Sequence, residues 1–171
     1  MWAGGPPNPI RPIRSHSLAI TLRGATSRVH TGKGMGNPNI ERVYQTLVAY
    51  QQGDEQALRG LIHPEGEIYG APGIVNAGTY HGYEGFREWV SHWEEAWEEI
   101  SYEFGDLVEI DPSVIVAPVH IVGRGAGSGI EIDRTFGWLY QWEDGQMFRY
   151  QVHPSFDEAM KAGKGLVADG T

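Results

Sequence analysis

The second half of the chain alternates strand-like segments with turn residues, and this pattern constrains the fold more than any other feature. The segments are 101–110, 114–123, 130–142 and 147–153, and the turns between them are Asp111-Pro112, a Gly-rich stretch at 125–129 and Asp144-Gly145. Short β-rich segments bounded by such turns are typical of antiparallel strands joined by hairpins. The sequence therefore predicts a β-meander.

Helical patterns precede this meander. Asn37 can cap a first helix with Pro38 at its first position, and Gly53 can end that helix. Asp54 can cap a second, short helix that Pro64 ends. A brief strand at 67–69 and a loop at 70–82 should follow. Apolar residues then recur every three or four positions and predict a third helix over 83–99. They are Phe86, Trp89, Val90, Trp93 and Trp97.

Helices followed by a run of antiparallel strands predict an α+β fold with the helices on one face of the sheet. A chain of 171 residues fits a single domain. A further short helix should start at Ser155, and residues 164–171 are predicted to form a flexible tail.

Residues 1–36 are rich in Gly, Pro, Arg and Ser, without periodicity. Two interpretations fit this composition: a disordered basic arm, or sequence translated upstream of a natural start at Met35. The folded domain is predicted to span residues 37–163.

Net charge argues against nucleic acid as a partner. The total is −9, but residues 1–40 contain five basic residues and no acidic one. The remaining 8 basic and 22 acidic residues give the body of the chain a net charge of −14, which repels phosphate backbones. Cysteine is absent and no apolar run is long enough to span a membrane, so we expect a cytoplasmic protein without membrane contact.

The hairpin at Asp144-Gly145 allows two strand registers, which decide the side chains that share a face. A two-residue turn pairs Tyr140 with Arg149, whereas a three-residue turn with Gly145 as a bulge residue pairs Tyr140 with Phe148. The bulged register separates apolar from polar side chains, so it is the one predicted. Its apolar face holds Arg134, Phe136, Trp138, Tyr140, Trp142, Phe148, Tyr150 and Val152.

Two ionisable residues are candidates for acid/base chemistry. His120 shares its strand face with Val116 and Val122, and an imidazole among apolar neighbours can exchange protons near neutral pH. Glu67 lies on the first predicted strand. A hydrogen-bonded core histidine and a strand-edge carboxylate are the plain structural alternatives.

Several motifs resemble, in their order, the SnoaL-like branch of the nuclear-transport-factor-two-like superfamily. They are His63-Pro64-Glu65-Gly66-Glu67, Tyr80-His81-Gly82-Tyr83-Glu84-Gly85 before a Trp-bearing helix, the turn from Gly123 to Gly129, the Asp144-Gly145 hairpin and Asp157-Glu158-Ala159. The resemblance implies a cone in which a curved antiparallel sheet packs against N-terminal helices and one long helix around a single central pocket. It also implies a homodimer. Members include polyketide cyclases and ketosteroid isomerases.

The chain departs from the best-known catalytic patterns of that superfamily. The carboxylate base and helical tyrosine of the isomerases align with Gly70 and Thr46. The Arg and two Asp of limonene-type epoxide hydrolases align with His120, Val122 and Val152. Neither mechanism is therefore predicted.

We expect a small apolar molecule, such as a polyketide-, steroid- or terpenoid-like compound, to bind in an aromatic pocket. Cofactor-free acid/base catalysis by Glu67 and His120, giving cyclisation, isomerisation or dehydration, is one interpretation. A non-catalytic ligand-binding or dimerisation module is the other. No metal or cofactor is predicted. The predicted ligand-binding residues are Tyr69, Tyr80, Trp89, Trp93, Arg134, Phe136, Trp138, Tyr140 and Tyr150.

Overall fold

The computed structural model describes residues 19–22 and 36–170. Four helices and eight strands make up this part of the chain. In chain order they are β1 (Ala19–Leu22), α1 (Pro38–Gln52), α2 (Glu55–Leu61), β2 (Ile62–Gly70), β3 (Gly78–His81), α3 (Gly82–Glu95), β4 (Trp97–Phe104), β5 (Val108–Asp111), β6 (Val114–Gly125), β7 (Glu131–Glu143), β8 (Gln146–His153) and α4 (Phe156–Ala168).

The strands form one mixed sheet in the order β1-β4-β6-β7-β8-β2-β3, with β5 beside β6. The predicted meander is confirmed, since β4, β6, β7 and β8 pair antiparallel as neighbours. The expectation of a purely antiparallel sheet is wrong. β2 runs parallel to β8, and β1 runs parallel to β4. The two edge strands of this path, β1 and β3, are not paired with each other, so the described sheet is open.

The strand β1 falls inside the segment expected to be a disordered arm. Residues 19–22 pair with residues 101–104 of β4, so this part of the expectation is wrong. The remaining residues before Gly36 lie outside the described part of the chain. At the other end, α4 extends to Ala168 and includes most of the expected tail.

Local sequence sets the ends of the first helices as predicted. The Asn37 side chain accepts a hydrogen bond from the Asn39 amide, and Gly53 ends α1 in the left-handed region at φ 67°. Asp54 caps α2 through the Ala57 amide. The helix α2 ends at Leu61, before the predicted stop at Pro64, because pairing between Ile62 and Met147 starts β2 there.

The third helix is shorter than predicted. It ends at Glu95, and Trp97 begins β4 opposite Gly125. The Ala126 amide donates to the Ala96 carbonyl oxygen, which joins the helix end to the turn after β6. Trp97 still contacts Trp93, with ring centroids 5.5 Å apart, so its spacing looked helical although its backbone is extended.

The predicted register of the β7–β8 hairpin is wrong. Asp144 and Gly145 both have positive φ, 50° and 80°, and form a tight two-residue turn between Glu143 and Gln146. The irregularity lies further along the strands, between the pairs Trp142–Met147 and Gln141–Arg149. The resulting pairs include Tyr140 with Tyr150 and Trp138 with Val152.

This register keeps the predicted apolar face, with one exchange. Residues 136, 138, 140, 142, 150 and 152 are all buried in the main core. Met147 takes the inner position expected for Phe148, whose ring packs against His63 with centroids 5.3 Å apart.

Helices cover both faces of the sheet, contrary to the prediction of a single covered face. Residues of α1, α2 and α3 belong to the main core with the inner face. On the outer face, Val114, Val116 and Leu139 form a second cluster with Ala159 of α4. Gly137 permits this contact, because a Cβ atom there would clash with Ala159 and lie 2.6 Å from the Ser155 carbonyl oxygen. None of the described helices is long and apolar enough to cross a membrane.

Candidate functional site

A cavity of about 40 Å³ lies on the inner face of the sheet, beneath α1 and α3. Its walls come from five elements and consist mainly of aromatic and aliphatic side chains. The lining residues are Thr46, Leu47 and Tyr50 of α1; Phe86, Trp89, Val90 and Trp93 of α3; Tyr102 and Phe104 of β4; Trp138 and Tyr140 of β7; and Met147 and Tyr150 of β8.

Helical and strand periodicities bring these aromatic rings together. Trp89 and Trp93 lie one turn apart on α3, and their rings stack with centroids 5.9 Å apart and planes 9° apart. Tyr150 stands perpendicular to both Trp89 and Trp138, at 5.4 Å and 5.8 Å. Edge-to-face packing of this kind is favourable for aromatic quadrupoles. The result is a rigid aromatic wall.

Four tyrosine hydroxyls are associated with the cavity. Burial raises the pKa values of Tyr50, Tyr102, Tyr140 and Tyr150 above the usual value for a phenol. Negative charge on Tyr140, Tyr102 or Tyr50 would raise the pKa of Tyr150 further, so the hydroxyls lie close enough to influence one another. All four therefore remain neutral near pH 7 and act as hydrogen-bonding groups.

Two of these hydroxyls have partners at the edge of the cavity. The Tyr50 hydroxyl donates to Glu94 Oε1 at 2.7 Å. The Trp93 indole N–H donates to the Tyr102 hydroxyl.

Sequence reasoning missed Glu94, which it placed on a solvated acidic helix face. Glu94 is in fact half-buried, whereas Glu95 is exposed. Its position four residues after Val90 is the signal that could have found it, because residues four apart in a helix share a face. The α1 residues Thr46, Leu47 and Tyr50 were also missed as cavity residues.

The structure brings five of the predicted ligand-binding residues to the cavity: Trp89, Trp93, Trp138, Tyr140 and Tyr150. Phe136 is buried in the same core but is not among the lining residues. Whether these side chains bind a ligand stays a prediction.

The other three lie elsewhere. Tyr69 contacts His153, with ring centroids 6.2 Å apart, and the Tyr80 hydroxyl lies 3.5 Å from the exposed His92. Arg134 is exposed and donates to the Pro154 carbonyl oxygen at 2.5 Å. The end of β7 places this guanidinium at the rim, where it stays in contact with water.

Glu67 and His120 are not brought together. His120 Nε2 lies 2.6 Å from Asp133 Oδ1, and both side chains are largely exposed on the outer face. Glu67 lies 3.8 Å from Arg149, also away from the cavity. β2 and β6 are three strands apart, which alone separates the two residues by at least roughly 14 Å, and His120 lies six residues further along β6 than Val114, the residue level with Glu67. They cannot exchange a proton directly, and a functional role for either residue stays a prediction.

Metal ligation has no candidate in the described ranges, where no group of three or more His, Asp or Glu side chains is arranged to hold an ion.

Comparison with known structures identifies the fold. An NTF2-like protein of unknown function from Burkholderia pseudomallei superposes with a TM-score of 0.60 at 17% identity, covering 75% of this chain and 98% of that one. A putative SnoaL-like polyketide cyclase from Jannaschia superposes with a TM-score of 0.59 at 16% identity, covering 74% and 91%. A Catenulispora acidiphila protein with a ketosteroid isomerase-like fold, in complex with trimethylamine, gives 0.56 at 18% identity, covering 77% and 97%.

Sequence comparison gives the family. No curated protein matches the chain. The SnoaL-like domain matches residues 40–150, from α1 to β8, which is more than half of the 171 residues. The chain therefore belongs to the SnoaL-like domain family.

Proposed function

We propose that this protein binds a small, largely apolar molecule in the aromatic cavity. The observation that supports this most is the convergence of three Trp and three Tyr rings from α3, β4, β7 and β8 around unfilled space. A tightly packed core of this size would leave few voids larger than a water molecule. Apolar walls with a few polar groups are the usual composition of small-molecule sites.

The size of the cavity limits the ligand. Typical drug-sized sites measure roughly 300–1,000 Å³, whereas this cavity holds about 40 Å³. A ligand with a ring therefore requires side chains of the wall to move. The α1 wall is the one expected to move, because α1 is not part of the sheet, while Tyr50 keeps its bond to Glu94.

The similar structures are consistent with a small-ligand role. The Catenulispora protein was obtained with trimethylamine, a molecule of four heavy atoms, and the Jannaschia protein is described as a putative cyclase. Because their sequence identity to this chain is low, these structures show a shared fold only. The ligand of this chain therefore has to be identified by experiment.

Native mass spectrometry of the purified protein tests the proposal first, because a co-purified ligand adds a defined mass. A titration with small aromatic compounds, followed by calorimetry, tests it independently. Thr46→Leu adds bulk to the cavity wall and should abolish binding, whereas Thr46→Val keeps the volume and should preserve it. Equal binding by wild type and Thr46→Leu would place the ligand elsewhere.

Cofactor-free acid/base catalysis is the second candidate, and one specific observation favours it. The Glu94 carboxylate lies behind Tyr50 at the cavity edge, within hydrogen-bonding distance of the hydroxyl that lines the cavity. A carboxylate in contact with a buried phenol can accept a proton through it. Cyclisation, isomerisation or dehydration of a polyketide-, steroid- or terpenoid-like compound would use such a step.

Deuterium exchange tests this candidate without knowledge of the substrate. Small enolisable ketones incubated with the protein in D₂O should exchange their α-protons faster than in buffer, and Glu94→Gln should remove the acceleration. Glu95→Gln is the matched control on the neighbouring, exposed position. Equal rates with wild type and Glu94→Gln would exclude Glu94 as the base.

We also expect a cytoplasmic homodimer. Light scattering coupled to size-exclusion chromatography measures the mass directly, and a monomer at micromolar concentration would contradict the dimer. A dimer that binds no small molecule would favour the alternative of a dimerisation module.

A further inference from the structure

The partners of Tyr50 and Tyr102 fix the direction in which each phenol can hydrogen-bond a ligand. The Tyr50 hydroxyl donates its own hydrogen to Glu94 Oε1. The lone pairs of the Tyr50 oxygen then remain for a ligand. Tyr50 therefore presents an acceptor to the cavity.

Tyr102 has the opposite polarity. The indole N–H of Trp93 is a donor only, so the Tyr102 oxygen must accept from it. This bond does not use the hydrogen of the Tyr102 hydroxyl. Tyr102 therefore presents a donor to the same cavity.

The two phenols are neighbours. Both line the cavity. Charge on Tyr102 would raise the pKa of Tyr50, and Glu94 affects the pKa of both phenols, which indicates that the three groups lie close together. The two hydroxyls are not hydrogen-bonded to each other in the described structure, and their partners, Glu94 and Trp93, are consecutive residues of α3.

We propose that Tyr50 and Tyr102 recognise a hydroxyl group of the ligand, which accepts a hydrogen bond from Tyr102 and donates one to Tyr50. Alcohols and phenols satisfy both sites with one oxygen atom. A ketone or an ether satisfies Tyr102 but places its lone pairs against those of Tyr50. Glu94 and Trp93 act as positioning residues, because they hold the two phenols in opposite polarities.

This inference rests on the proposed function and adds the chemical class of the ligand. A purely structural role is sufficient for the Trp93–Tyr102 bond, whereas the position of Glu94 in its helix disfavours a carboxylate. A negative charge in the last turn of α3 gains nothing from the helix dipole, whose negative end lies there. The bond of Glu94 to a cavity-lining phenol is therefore more consistent with a role in orienting the hydroxyl of that phenol toward a ligand.

Phenol and toluene are suitable probes, because they have nearly the same shape and differ in one hydroxyl group. Their dissociation constants should be measured by calorimetry with the full-length wild type and with Tyr50→Phe and Tyr102→Phe. Each substitution removes a hydroxyl, with its bond to Glu94 or Trp93 and its bond to the ligand, and keeps the ring, so the fold should persist. We expect each to weaken phenol binding by roughly tenfold while toluene binding changes by less than about twofold.

The positioning residues give a finer readout. Glutamine at position 94 can donate as well as accept, so Glu94→Gln no longer fixes the Tyr50 hydrogen. We expect the preference for phenol over toluene to fall by roughly two- to fivefold. Glu95→Gln, at the adjacent exposed position, should leave the preference unchanged.

The outcomes separate the two claims. Equal losses for phenol and toluene in the phenylalanine variants, or no loss for phenol, would overturn the hydroxyl inference while binding in the cavity stands. A wild-type protein that binds neither probe would overturn both claims.

Discussion

Side chains alternate between the two faces of the sheet, but the residues on the two faces differ in polarity and in burial. The inner face is almost entirely aromatic and aliphatic, and its polar atoms are phenol and indole groups that stay neutral. The outer face carries ion pairs, such as His120 with Asp133 and Arg149 with Glu67, beside one small apolar cluster under α4. Alternation in a strand therefore identifies two faces, but it does not show which one encloses the cavity.

The largest contrast between the faces should appear on truncating one residue of each. Trp138 is 7% exposed on the inner face, and Trp138→Ala should cost about 3–5 kcal/mol of unfolding free energy through lost contacts and a new cavity. Val122 is 43% exposed on the outer face, and Val122→Ala should change stability by less than about 0.5 kcal/mol. Urea denaturation measures both. Similar costs would mean that the faces are not distinguished by burial.

A second contrast lies within the outer face, between the contact with α4 and a helix position facing open space. Gly137→Ala forces β7 and α4 apart and should cost about 1–3 kcal/mol. Gly165→Ala, in α4 with no atom near its Cβ position, should instead stabilise by roughly 0.5–1 kcal/mol through helix propensity. Thermal unfolding gives both signs. A harmless Gly137→Ala would show that α4 does not pack closely on the sheet.

The inner phenols should make the fold sensitive to alkaline pH. Burial raises the pKa of Tyr140 above that of the unfolded chain, so the folded state keeps a proton that the unfolded state releases above about pH 10. Stability is unaffected below pH 10 and falls above it, by about 1.4 kcal/mol per pH unit for each such phenol. Tyr140→Phe should reduce this slope, as measured by denaturation at several pH values. Tyr80→Phe, outside the cavity, is the control, and equal reductions would contradict the assignment.

The smallest effect is expected for the outer ion pair. Both side chains of His120 and Asp133 are more than a third exposed, so His120→Gln should cost at most about 1 kcal/mol. Salt should screen what remains. Denaturation at low and high ionic strength measures this difference. A cost of several kcal/mol would indicate that the outer face is buried by a partner.

Much of the fold could be predicted because it depends on local signals. The caps at Asn37, Gly53 and Asp54 and the turn residues at Asp144-Gly145 act within a few residues. They set the helix ends and the position of the hairpin turn as expected, but not the register of the hairpin. The end of α3 could not be predicted, since Trp97 leaves the helix to pair with Gly125, a contact distant in sequence.

The candidate site was predicted in part for the same reason. Trp89 and Trp93 follow from helical spacing, and Trp138 and Tyr140 follow from strand alternation. Glu94 was missed because its partner, Tyr50, lies on another helix. His120 was placed on the correct strand face, but the direction of that face depends on the packing of α1 and α3, which no local pattern encodes.

The most direct test of binding on the inner face is a titration followed by the NMR signals of the indole N–H groups. Each signal can be assigned with single Trp→Phe variants, and phenol and toluene serve as ligands. The account predicts saturable shifts for Trp89, Trp93 and Trp138, which line the cavity. Saturable binding of either probe that leaves these three signals unmoved would contradict the central claim.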